Sequence, residues 1–262
     1  MPASAVGLRV RVDGGAARLT LDRPERRNAQ TPALWRALAA VPAQLPSQVR
    51  TVLVDALGPS FSAGLDRRMF TPEGIPGEPT MVELGTSAEN DPDALDATIA
   101  AFQDGFSWLR DPRFVSVAAV QGHAVGAGFQ LALACDLRIV ADDAQLSMRE
   151  PSLGLVPDLG GTQPLVDCLG YARALELCAT GRSMPAAEAV STGLALWSVP
   201  PPDLSAAADA LVAALGSAPA GAVRATKRLL LGASRRPYPD QLAAERAEQA
   251  GRLLELARTV PG

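Results

Sequence analysis

The side chains able to move a proton or attack a carbon are few and unevenly placed. There is one histidine, His123, and there are three cysteines, Cys135, Cys168 and Cys178. A lone histidine gives no His cluster for a metal and no ready base for a nucleophilic triad. The cysteines sit in apolar runs without metal spacing and read as reduced, buried thiols of a cytoplasmic protein. No metal site is expected. What the chain does carry is a pair of glycine turns. In Phe61-Ser62-Ala63-Gly64-Leu65-Asp66, Gly64 lets backbone approach a ligand closely. The second turn, Gly122-His123-Ala124-Val125-Gly126-Ala127-Gly128, joins an apolar run to a helical one. The start of that helix presents unpaired N–H groups and the positive end of its dipole, which suits an anion. The anion could be a phosphate or an enolate oxygen.

Spacing separates these readings. A dinucleotide turn needs Gly-x-Gly-x-x-Gly, and Gly126-Ala127-Gly128-Phe129-Gln130-Leu131 lacks the last glycine. Asp142 is too near to be the ribose-binding acid of that pattern. A phosphate loop ends in Gly-Lys-Ser/Thr, which is absent. An oxyanion site remains.

The elements that must hold these turns are legible in outline. Residues 8–12 and 17–21 alternate around Asp13-Gly14-Gly15, a hairpin signal. Thr31 caps a helix that starts at Pro32. Runs 49–56 and 114–120 read as buried strands, each just ahead of a glycine turn. Residues 71–96, rich in Pro, Gly and acids, read as a surface loop with local helix, and 97–109 as a helix. Short strands follow at 137–140, 144–148 and 194–199, with helices dominating from Gly161. Pro200-Pro201-Pro202 forms a semi-rigid joint. The order implies an α/β core followed by a helical segment.

Composition excludes whole classes. The chain has 262 residues, 48% hydrophobic and 20% charged, with a net charge of -4. That is enough apolar content for a large core and too much for a disordered chain. The acidic balance argues against a dedicated nucleic-acid binder. No apolar run reaches the ~18 residues that cross a bilayer, so no membrane span is expected. The first fifteen residues lack the pattern of a signal peptide.

Taken together, several motifs resemble one family. The Phe61-to-Asp66 loop, Gly126-Ala127-Gly128, Ala134-Cys135-Asp136 and Gly154-Leu155-Val156-Pro157-Asp158-Leu159-Gly160-Gly161-Thr162 occur in the order seen in the crotonase superfamily, the enoyl-CoA hydratases and isomerases. Arg23-Pro24 with Asn28-Ala29, Thr180-Gly181-Arg182 and Ala186-Ala187-Glu188-Ala189 also match, over about residues 8–199, with Ala225-Thr226-Lys227-Arg228-Leu229-Leu230 beyond. The resemblance implies a spiral of ββα units, residues 1–199, binding acyl-CoA, and a helical C-terminal oligomerisation segment, residues 200–262. It also implies a homotrimer or dimer of trimers. The implied substrate is a coenzyme A thioester, with no further cofactor.

On the same resemblance, the N–H groups of Leu65 and Ala127 hold the thioester oxygen and Glu150 is the catalytic carboxylate. Gln130 stands where hydratases carry a second glutamate, and a carboxamide cannot exchange a proton. One carboxylate suffices for a double-bond shift, so isomerisation of an enoyl-CoA is the first expectation and hydration the alternative. A weakly catalytic CoA-ester-binding protein is a third. Asp158 is either a second catalytic acid or a helix cap. Arg149 either pairs with Glu150 or points away. Arg26, Arg27, Ala63, Gly64, Asp66, Gly126, Gly128, Gln130 and Lys227 are expected to line the substrate channel, with Lys227 and Arg228 toward the adenine end. Segment 71–96 is expected to wall the acyl pocket. Asp136 is expected to be structural, Cys135 core, and His123 packed behind the site.

Overall fold

A computed structural model describes residues 6–259; the ends of both expected segments, 1–5 and 260–262, lie outside the described residues. Strands β1 (Leu8–Asp13) and β2 (Ala16–Leu21) form the expected hairpin, Asp13 opposite Ala16. Alternation in β2 turns Ala17, Leu19 and Leu21 inward. Strands β3 (Thr51–Ala56), β4 (Val115–Val120) and β6 (Leu137–Ala141) then add in parallel, giving a six-stranded sheet ordered β1-β2-β3-β4-β6-β9. Its last member, β9 (Ser198–Val199), is only two residues long because Pro200 stops it.

A second, three-stranded sheet contains β5 (His123–Val125), β7 (Gln145–Ser147) and β8 (Met184–Pro185). Ser62 joins β5 through a bridge to Ala124. The repeat is therefore plain: β3, β4 and β6 lie in the large sheet, and each is followed by a short extended segment in the small one, then by helix. This is the spiral of ββα units. It carries both glycine turns to one edge, where large-sheet strands end and small-sheet segments begin.

Helix α1 (Pro32–Gln44) starts where Thr31 accepts a hydrogen bond from Leu34 N (3.3 Å) and buries Leu34, Trp35, Leu38 and Val41. Segment 71–96 is more ordered than its composition implies. Thr80 and Glu83 cap each other reciprocally (3.1 and 2.7 Å) and start α2 (Met81–Asn90). Asp91 accepts from Ala94 N (3.0 Å) and starts α3 at Pro92, five residues ahead of the expected helix. Residues 71–80 and the single cap residue Asp91 stay outside these helices. Helix α3 (Pro92–Ser107) packs on α1 through Phe102 and Phe106 against Trp35.

Helix α4 (Ala127–Ala134) is buried on all sides, which is why its sequence is apolar at nearly every position. Helices α5 (Thr162–Leu169), α6 (Tyr171–Thr180) and α7 (Ala186–Ser191) complete that layer. After the prolines, α8 (Leu204–Ser217) returns to the opposite face of the large sheet. There Leu204 and Ala208 bury against Leu53, Val117, Ala119, Ile139 and Ala141. Helices α9 (Ala220–Ala233) and α10 (Tyr238–Thr259) extend beyond it.

Candidate active site

The two glycine turns are pressed together by what they lack. A Cβ on Gly64, at φ 83°, would lie 2.4 Å from the Val125 carbonyl oxygen and 3.6 Å from Ala127 N. A Cβ on Gly128 would meet Ser62 at 2.6–2.9 Å. Only glycine permits this approach. A hydrogen-bonded strut fixes the contact. Buried Ser62 donates from Oγ to Asn28 O (2.8 Å) and accepts from Gly64 N (3.2 Å) and Gln30 Nε2 (3.2 Å). Gln30 Nε2 also reaches Ala127 O (3.3 Å), while Trp35 Nε1 donates to Gln30 Oε1 (2.8 Å).

Within this frame, Leu65 N–H and Ala127 N–H find no acceptor among the described residues. Gly126 N–H is satisfied by Ser147 O (2.8 Å), so Ala127 is the first open donor of α4. Two adjacent backbone segments thus offer open donors at the positive end of a buried helix.

A carboxylate sits beside them. Glu150 opens a short 3-10 turn after β7, and its Oε1 lies 3.1 Å from where a Gly126 Cβ would be. Gln130, one turn into α4 and 1% exposed, donates from Nε2 to Glu150 Oε1 (2.7 Å). Its own Oε1 accepts from Leu159 N (2.9 Å) and Gly161 N (3.3 Å). Glu150 Oε2 is buried with no hydrogen-bond partner among the described residues. Burial pushes the Glu150 carboxyl above the usual glutamate range, and the charge of Asp158 adds to this, while the Gln130 hydrogen bond opposes it. Burial likewise raises Asp158.

The structure settles several alternatives. Asp158 caps no helix: α5 begins at Thr162, with Gly161 at its N-cap position and no side-chain cap. Its carboxyl lies close enough to perturb Glu150, and its carbonyl accepts from Gln103 Nε2 of α3 (2.7 Å). Arg149 is exposed, makes no ion pair with Glu150 among the described residues, and lies against Gly181. Arg26 and Arg27 are exposed on a turn bound to the first glycine loop by Ala63 N to Arg27 O (2.8 Å) and Gln30 N to Gly64 O (2.7 Å).

Three expectations are corrected. Lys227 is buried and spends its ammonium on Asp136 Oδ2 (2.7 Å), Phe114 O (2.8 Å) and Asp111 O (3.0 Å), so it pins α9 to the core and has no donor left for a substrate. Asp66 is equally committed: it caps a short turn at Arg68 N (3.2 Å) and pairs with Arg68 (2.8 Å) and Arg23 (3.2 Å). Those hydrogen bonds, Arg68's above all, pull its carboxyl down to about 2. His123 is exposed, because its place in β5 faces outward while Ala124 faces in. Asp136 is structural as expected, receiving Ser116 N (2.8 Å) and Lys227. Cys135 is core, its thiol pushed up to about 12 by burial. Ser62 and Gln30 are positioning groups that the sequence does not announce. Their only sequence signal is a small hydroxyl two residues before Gly64 and a polar side chain just before a helix cap.

Open donors over a half-buried carboxylate make a site that can polarise a carbonyl and take the neighbouring proton. This is the apparatus of an enzyme that stabilises an enolate. The chain belongs to the enoyl-CoA hydratase/isomerase family, whose profile matches residues 11–251. Among similar proteins, a probable enoyl-CoA hydratase of Rhodobacter capsulatus is 33% identical over 91% of this chain and 86% of its own. One of Mycobacterium bovis is 30% identical over 87% and 82%. Two solved structures of a Thermobifida fusca YX protein carrying the name enoyl-CoA hydratase are each 52% identical. The complex with CoA has TM-score 0.92 and covers 98% of this chain and 96% of that one. The complex with acetoacetyl-CoA has TM-score 0.91 and covers 97% of each. The protein is an acyl-CoA enzyme of the crotonase superfamily.

Proposed function

We propose that the protein shifts the double bond of an enoyl-CoA, with Glu150 as a single proton carrier. The thioester oxygen accepts from Leu65 N–H and Ala127 N–H. Glu150 takes the C2 proton of a 3-enoyl-CoA, the enolate forms, and the same carboxyl returns a proton to C4, leaving the conjugated 2-enoyl-CoA. The observation that carries this reading is the place of Gln130. By the family resemblance it stands where hydratases carry a second acid; it has no proton to exchange, and both ends of its carboxamide are engaged. Arg26 and Arg27, exposed beside the first glycine loop, are suited to the phosphates of CoA. The CoA and acetoacetyl-CoA complexes of the Thermobifida fusca protein support a CoA thioester as substrate.

Hydration is the second reading. It is favoured by Asp158, a half-buried carboxyl near enough to raise Glu150 and able to hold a water with it, and by the hydratase names of the relatives. Asp158→Asn separates the two. In the first reading isomerisation stays within about tenfold of the parent; in the second, hydration falls by at least ~10²-fold. For assembly, we infer a trimer or a dimer of trimers. Leu230, Tyr238, Leu253 and Leu254 leave α9 and α10 with apolar surface exposed, as helices that bury against another copy would. Sedimentation showing a stable monomer at micromolar concentration would contradict it.

A further inference from the structure

We propose that Gln130 is a positioning residue that holds the Glu150 anion through a donated hydrogen bond and locks the Asp158 loop to it. This rests on the reading of Glu150 as the proton carrier. The Gln130 carboxamide has one possible orientation. Leu159 N–H and Gly161 N–H are donors, so the group facing them must be the oxygen. The nitrogen must then face Glu150 and donate to it. The loop presses close: a Cβ on Gly161 would lie 2.8 Å from Gln130 Cγ. Gln130 also rides on the helix whose first N–H is the open Ala127 donor, so one rigid element sets both the donor and the base.

A carboxylate at position 130 would accept from the same two N–H groups. Its other oxygen would then face Glu150 Oε1 across the 2.7 Å now spanned by a donated hydrogen bond. Two carboxylates that close cannot both ionise and would share one proton. The amide avoids this and supplies a proton donor instead. The other titratable groups near Glu150 are Asp158 on the loop and Cys178 on α6; both lack positive charge, and Arg149 is turned outward. Among the described residues, Gln130 is therefore the one side chain that donates a hydrogen bond to the Glu150 anion.

The test reads Glu150 directly. Protein labelled with ¹³C at the glutamate carboxyl is titrated by NMR, the Glu150 resonance being assigned by its loss in Glu150→Gln. In Gln130→Leu the midpoint should rise by about one pH unit, the worth of a hydrogen bond to a charged group. In Gln130→Glu, which keeps size and an acceptor oxygen for both loop N–H groups, it should rise further, and the pair should titrate in two steps. If Gln130→Leu does not fold, the isosteric variant alone decides. A Glu150 midpoint unmoved in Gln130→Glu would overturn the proposal and leave Gln130 a packing residue. The reading beneath it is tested apart: a Glu150→Gln protein that still turns over CoA thioesters would remove Glu150 as proton carrier whatever the titration gives.

Discussion

Gly64→Ala probes the joint on which the proposed chemistry depends. The new Cβ would lie 2.4 Å from Val125 O, whereas ordinary contact begins near 3.4 Å, so the two glycine turns must part by about 1 Å. The displaced atoms flank Leu65 N–H on one side and Ala127 N–H on the other. A donor misplaced by that much loses most of its effect on a developing oxyanion, about 2.7–4 kcal/mol or 10²–10³ in kcat. Stability should fall less, by about 1–3 kcal/mol, from the positive φ and the residual clash. Gly14→Ala is the matched control. It adds a Cβ at φ 53°, in the β1–β2 turn, where nothing lies within 4 Å. It should cost about 1 kcal/mol and leave kcat untouched. Steady-state kinetics on a 3-enoyl-CoA, beside thermal melts of both variants, supply the comparison. A folded Gly64→Ala protein with kcat within threefold of the parent would refute the assignment of these turns to the oxyanion.

Other predictions follow from the charged groups. Glu150 must be ionised to act, and burial raises its carboxyl, so the acid limb of kcat/KM should lie above the usual glutamate value of 4.5. Glu150→Gln should cut turnover by at least ~10²-fold while leaving the fold at least as stable at pH 7, since it removes a buried charge. Lys227→Met should destabilise by about 3–5 kcal/mol in urea titrations, because it strands Asp136; KM should not change, and a raised KM on an unaltered fold would restore Lys227 to the substrate channel. Asp66, held at about 2 against an ordinary 3.8, adds stability that is complete above its unfolded value and is lost as pH falls through about 2. Asp66→Asn should therefore cost about 1–2 kcal/mol at pH 7, with the gap to the parent closing in acid.

Much of the frame was legible because it rests on local pattern. Alternation in β2, the apolar runs of β3 and β4, and Pro32 after Thr31 each report their own geometry. So do the glycine turns, since a strand-to-helix turn with Gly126 and Gly128 must open a helix N-terminus. Segment 71–96 misled because Pro and acids read as loop, while Thr80 with Glu83 and Asp91 with Pro92 are helix-start signals of few residues. Lys227 misled for a different reason. A lysine at helical spacing usually faces water, and nothing local announces that Asp136, Phe114 and Asp111 converge on it from residues about a hundred positions away. The roles of Ser62, Gln30 and Gln130 are likewise products of packing. Their partners belong to other elements, and only the folded chain brings them within hydrogen-bond distance.

One carboxyl moving one proton is the central claim for this site, and isotope transfer reads it most directly. The protein is incubated in deuterated water with a 3-enoyl-CoA, and separately with crotonyl-CoA, following double-bond migration and hydration by NMR. Migration should outpace hydration, with part of the C2 hydrogen recovered at C4, because a half-buried Glu150 returns the proton it took before exchange is complete. Hydration as fast as migration with Gln130 intact, or no migration at all, would contradict it and give the site to the hydratase reading.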